Sequence, residues 1–105
     1  MQPTVEPIFD ELIHAPTQLL ICAQLATVQW AEFAHLRDTL EVANSVLSKH
    51  LKHLADAGYV TLERFTKNGR SHVRAGLTRN GRTAYVAHVA ALRAITQPPQ
   101  HEEQP

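Results

Sequence analysis

Seven histidines, one cysteine and ten acidic residues are the side chains in this 105-residue chain that could ligate metals, move protons or attack an electrophile. Their spacing argues against each use. His50 and His53 stand three apart, which puts two imidazoles near one helix face and can begin a zinc site. No cysteine or carboxylate sits where it would obviously complete a tetrahedral set. His88 has no His, Asp or Glu three or four positions on, and His14, His35, His72 and His101 are scattered. Cys22 falls in a nearly all-apolar stretch with no basic residue near it in sequence. It therefore reads as a buried small hydrophobe rather than a low-pKa redox thiolate. There is no Gly-rich phosphate loop, no paired-carboxylate constellation and no nucleophile elbow. The expectation is a chain with no catalytic residue, no metal and no cofactor, and not an enzyme.

The chemistry that remains is electrostatic. Net charge is zero, but its distribution is uneven. Residues 1–43 carry six acids and one base, a net −5. Residues 44–82 carry eight bases (Lys49, Lys52, Arg64, Lys67, Arg70, Arg74, Arg79, Arg82) and two acids (Asp56, Glu63), a net +6. A basic segment inside a neutral protein can attract a polyanion through one face. It needs a fold to aim it.

The hydrophobic pattern supplies one. Ile8, Phe9, Leu12 and Ile13 behind Pro7 predict a short amphipathic helix over 7–13. A second helix runs from Pro16 or Thr17 to about Thr27, apolar nearly all round (Leu19, Leu20, Ile21, Cys22, Leu25, Ala26), as expected of a helix buried between neighbours. A third, about Ala31 to Leu40, aligns Phe33, Leu36 and Leu40. The turn Glu41–Asn44 follows, with Val42 its buriable residue. Asn44 is the expected N-cap of the next helix, with Ser45 the alternative, and Gly58 its left-handed stop after Ala57. Tyr59 to Phe65 alternates as a strand with Val60 and Leu62 inward. Asn68-Gly69 is a tight-turn signal, and a return strand over about 72–77 turns Val73, Ala75 and Leu77 inward. Thr78 caps a last helix to about Thr96 carrying Tyr85, Val89, Leu92 and Ile95 at coiled-coil-like spacing.

Helix, helix, short turn, helix, then a β-hairpin is the order of a winged helix-turn-helix: mainly α with a small β wing. In the helix from Asn44 to Ala57, Leu47, Leu51 and Leu54 form one apolar stripe with Ala55 beside it. The opposite face presents Ser45, Ser48, Lys49, Lys52, His53 and Asp56. Small hydroxyls permit close approach to a groove, and lysines meet phosphates or guanine edges. The hairpin adds Arg64, Lys67, Asn68, Arg70 and Arg74, suited to a minor groove or a phosphate strand.

The segment Ser48-Lys49-His50-Leu51-Lys52-His53-Leu54-Ala55-Asp56-Ala57-Gly58-Tyr59-Val60 resembles the recognition helix of MarR/ArsR-type winged-helix transcriptional regulators. Leu77-Thr78-Arg79-Asn80-Gly81-Arg82 is similar to the segment that opens their next helix. The resemblance spans about Pro16 to Ile95. It implies a prokaryotic repressor or activator that binds double-stranded DNA at a near-palindromic operator as a homodimer. By motif position, Ser45, Ser48, Lys49 and Lys52 would lie near the groove and Lys67 and Arg70 in the wing. The chain is shorter than typical MarR members, so their effector pocket is reduced or absent, and it lacks the paired-cysteine motif of ArsR metal sensors.

A single winged helix makes few base contacts, so specificity calls for two half-sites and a self-partner. Ile8, Phe9, Leu12 and Ile13 on the first helix, with Tyr85, Val89, Leu92 and Ile95 on the last, are the expected dimer seam. The division is an arm at 1–15, a DNA-binding domain with its dimerisation helix at 16–96, and a disordered tail at 97–105. No apolar run approaches the roughly 20 residues needed to span a bilayer, and Met1–Pro7 lacks the character of a secretory signal. A cytoplasmic location is expected, with no membrane partner. An unidentified small-molecule effector is a further candidate partner. Two alternative functions share the same fold: a winged-helix protein-interaction module, and a regulator sensing a small molecule or redox state directly.

Overall fold

A computed structural model describes residues 5–97. Asp10 opens the first helix, α1 (Glu11–His14), its side chain accepting the Ile13 N–H at 3.0 Å, a cap that satisfies one of the helix's orphan donors. The helix is shorter than the expected 7–13 span. Residues 5–9 are not helical; there the Ile8 N–H donates to the Ala87 carbonyl at 3.1 Å, so this stretch is bonded to a distant helix instead of to itself. Pro16 at the first turn starts α2 (Pro16–Leu25), where a missing N–H costs nothing.

Ala31 and Glu32 do not begin the third helix as expected. They form a two-residue strand, β1 (Ala31–Glu32), and α3 (Phe33–Leu40) follows. Glu41 closes α3 in the left-handed conformation at φ 55°. Next comes α4 (Asn44–Asp56). Its N-cap is Ala43, without a side-chain bond; the expected cap, Asn44, instead turns its Oδ1 to the Arg37 guanidinium at 3.1 Å. Gly58, at φ 81°, redirects the chain as expected.

The wing is β2 (Val60–Lys67) and β3 (Arg70–Leu77), paired from Val60↔Leu77 to Lys67↔Arg70. Asn68 and Gly69 turn it at φ 53° and 74°, the positive values a two-residue hairpin loop requires. β1 joins the other edge of β3 through Ala31↔Ala75 and Glu32↔Arg74, giving the antiparallel order β1-β3-β2. Thr78 caps α5 (Arg79–Thr96), accepting the Gly81 N–H at 2.9 Å.

Leu47, Leu51 and Leu54 of α4 enter one core with Ile21, Cys22 and Leu25 of α2, Leu36 of α3, and Val60 and Ala75 of the sheet. Each fully buried Leu or Ile contributes about 1.5–3 kcal/mol relative to exposure. The same core corrects one seam residue. Ile13 is fully buried within it and is not available to a partner, while Leu12 packs against it half-buried. A four-residue α1 cannot present one apolar strip, and its inward residues complete the domain. Tyr85 also packs on this core. Ile8, Phe9 and Ile95 are exposed, while Val89 and Leu92 are half-buried. Leu62 shares a sheet face with Ala75 but is exposed, because it lies on the outer strand beyond the helices' cover. Of the expected tail, everything past Gln97 lies outside the described residues. Among the described residues no helix is long and apolar enough to cross a membrane.

Candidate nucleic-acid interface

With its leucines inward, α4 leaves Ser45, Ser48, Lys49, Lys52, His53 and Asp56 exposed, as the 100° helical periodicity predicts. Lys52 pairs with Asp56 one turn on at 3.3 Å, and both ends are exposed, so solvent screening makes the pair weak and exchangeable. Ala57–Tyr59 carry the chain directly from α4 into β2, so helix and wing are covalent neighbours.

The basic residues divide by what they touch. Lys49, Arg64, Arg70 and Arg79 make no ion pair among the described residues. Lys67 reaches Glu32 at 3.2 Å. Arg74 pairs with Glu63, its cross-strand partner, and its guanidinium carbon lies 4.4 Å from the centre of the Trp30 ring. Arg82 donates to the Ala26 carbonyl at 3.0 Å, closing the end of α2. Half of the eight bases counted in the sequence thus have intramolecular partners, which charge counting could not show.

His50 and His53 meet Gln18. That side chain is almost fully buried, and its amide nitrogen donates to the Leu12 carbonyl. The carbonyl accepts only, so Gln18 Oε1 must face the imidazoles, receiving the Nδ1 protons of His50 at 2.8 Å and His53 at 3.3 Å. His53 therefore leans toward α2 rather than squarely outward. Partial burial, then the neighbouring Lys49 and His53, pushes the His50 pKa down. Among the described residues no group of three or more His, Cys, Asp or Glu could hold a metal ion.

Sequence reasoning missed a second polar cluster. His88 on α5 is fully buried, accepts the Asp10 N–H on Nδ1 at 3.0 Å, and faces Nδ1 of His14 through Nε2 at 3.2 Å. Phe9 packs on both imidazoles at 4.8 Å. The Asp10 carboxylate also accepts the Tyr59 hydroxyl at 2.6 Å. That bond, with burial behind it, pushes the Tyr59 phenol up to about 12. Burial pushes the Cys22 thiol up to about 12, with Asp10 adding to it. The only signal available in sequence was a histidine set among small residues on a helix face, Ala87-His88 with Ala84 and Ala91.

A family model of winged helix DNA-binding domains matches residues 17–96. The chain belongs to the winged helix DNA-binding domain family. The resemblance read from Ser48–Val60 and the mainly-α fold with its hairpin wing are both met by this match. An uncharacterized protein of Methanocaldococcus jannaschii is 25% identical over 87 residues, covering 83% of this chain and 95% of its own. Among solved structures, a transcriptional regulator homologue from Pyrococcus horikoshii OT3 superposes with a TM-score of 0.77 at 20% identity, covering 82% of this winged helix and 85% of that chain. A putative transcriptional regulator from Salmonella typhimurium gives 0.69 at 21% identity, covering 81% and 75%. Diamide-treated YodB from B. subtilis gives 0.67 at 18%, covering 84% and 88%. At these identities the structural likeness is one of fold.

Proposed function

We propose that this winged-helix chain is a sequence-specific, double-stranded DNA-binding transcriptional regulator that acts as a homodimer on a near-palindromic operator. The observation that carries the reading is the division of α4: three buried leucines fix it to the core while Ser45, Ser48 and Lys49 stand exposed beside a basic hairpin. In this reading Ser45, Ser48, Lys49 and Lys52 enter the major groove. Arg64, Lys67 and Arg70 meet the adjacent backbone or minor groove, with Asn68 shaping the tip. Asn44, His53 and Arg74, whose side chains have internal partners, play supporting parts. The regulators among its structural neighbours favour transcription over other uses of DNA binding.

The dimer seam in this reading is formed by Ile8 and Phe9 of the arm with the exposed or half-buried Val89, Leu92 and Ile95 of α5. Two copies would read half-sites about one helical turn, roughly 34 Å, apart. A cleft bounded by Ile8, Asp10, Tyr59, Asn80, Thr83 and Ala87 is where a small-molecule effector would be sought.

The test is fluorescence anisotropy on random duplex DNA across a salt series, then selection of preferred sequences and sedimentation of the complex. Affinity falling steeply with salt, a recovered palindrome and two chains per site are the expected results. No binding at low salt would overturn the reading.

A further inference from the structure

We infer that Arg74 is a positioning residue for DNA binding: its guanidinium, held over Trp30 and paired with Glu63, braces the hairpin so that the basic tip projects in a fixed direction. The inference rests on the proposed DNA-binding role but is built on separate contacts.

Side chains of paired residues share a sheet face and alternate faces along a strand. Glu63↔Arg74, Phe65↔His72 and Lys67↔Arg70 therefore lie on one face, running from wing base to tip. On that face the contacts are continuous. Arg74 lies 4.4 Å from the Trp30 ring centre and 5.6 Å from that of Phe65. Phe65 in turn stacks on His72 at 5.5 Å with 27° between planes. Trp30 can lie there because residue 76 is glycine; a β-carbon at Gly76 would fall 2.6 Å from the Gln29 carbonyl and 3.2 Å from the indole. A second tie runs alongside, from Glu32 of β1 to Lys67 near the tip at 3.2 Å.

An isolated two-stranded hairpin is marginally stable in water. Beyond Ala31 and Glu32, β1 gives β3 no further backbone partner, so side chains must hold the rest of the wing. A planar guanidinium suits this place: it stacks on an aromatic face and pairs with a carboxylate in the same position, which an ammonium does not. With its charge met by Glu63, Arg74 has little to offer a phosphate.

The test measures DNA affinity and salt dependence for the wild type, Arg74→Ala, Trp30→Ala and the double variant. Loss of the stack should weaken binding about tenfold in either single variant. The double variant should be no weaker than the single ones, and the salt slope should be unchanged. Trp30→Phe, which keeps an aromatic face, should restore most of the affinity, whereas Arg74→Lys should not. If Arg74 instead touched phosphate, Arg74→Ala would lower the slope by about 0.9. The two losses would then multiply and Arg74→Lys would bind nearly as wild type; that result overturns the inference.

A measurement without DNA separates the brace from the function. Backbone order parameters at residues 66–71 should be near the rigid value of about 0.85 in the wild type and drop toward 0.6 in Arg74→Ala and Arg74→Lys. Unchanged order parameters would overturn the brace even if DNA binds. A wild type that ignores DNA would overturn the functional reading and leave the brace to be decided by this measurement.

Discussion

His14 and His88, 74 positions apart, share one proton between Nδ1 of the first and Nε2 of the second, at 3.2 Å. Because His88 Nδ1 accepts the Asp10 N–H, a neutral His88 must carry its hydrogen on Nε2 and donate it to His14. His88 is thereby fixed in its Nε2–H tautomer, and a further proton on its Nδ1 breaks the bond from Asp10.

Stability should therefore depend on pH in a stated direction. Burial, then His14, holds the His88 pKa below 6.5, with Asp10 opposing; His50 is depressed in the same sense. The unfolded chain binds more protons below about pH 6.5, so stability is complete above that pH. It declines as pH falls from there toward the folded values, by up to about 1.4 kcal/mol per unit of depression. Urea denaturation at pH 8 and pH 5 measures this. His88→Asn, which keeps an acceptor near Nδ1, should show a smaller difference; an equal difference would place the effect elsewhere.

The Tyr59–Asp10 bond joins the start of the wing to the amino-terminal arm. Tyr59→Phe should cost about 1.5–3 kcal/mol, the range for a hydrogen bond to a charged group. Ultraviolet titration offers a second readout, since the chain has two tyrosines. Tyr59 should ionise only near 12, and in Asp10→Ala it should return toward 10.

Cys22 should be inert while the chain is folded. It is fully buried and its thiol is pushed up to about 12, so almost no thiolate exists at neutral pH. Iodoacetamide should label it slowly in buffer and rapidly in denaturant. Fast labelling of the native protein would revive a redox role.

On DNA, Lys49→Ala should weaken cognate binding and relax base preference. Arg70→Ala should weaken all sequences alike and shallow the salt slope by about 0.9. Anisotropy on cognate and random duplexes distinguishes the two, and unchanged affinity in both variants would remove the proposed docking mode.

The parts legible in the sequence were those whose local chemistry agrees with the whole. The leucine stripe of α4, the Asn68-Gly69 turn and the Thr78 cap each carry their own signal within a few residues. The parts not legible depend on distant partners. β1 is two residues long and exists because β3 offers Ala75 and Arg74 as partners. Pro7 suggested a helix start, but Asp10 caps later and Ile8 is drawn to Ala87. Lys67 and Arg74 looked like free charges until Glu32, Glu63 and Trp30 were brought beside them.

Gln18 is the point where three helices are keyed together by one neutral amide: Leu12 of α1 on its nitrogen, His50 and His53 of α4 on its oxygen. The seating of α4 against the rest of the chain is thereby referred to a group that never ionises. Exchanging that nitrogen for oxygen, as in Gln18→Glu, would set an acid against the Leu12 carbonyl and beside two imidazoles. The key between the helices, now without charge, would then carry one, so a single atom separates a neutral key from an ionisable one.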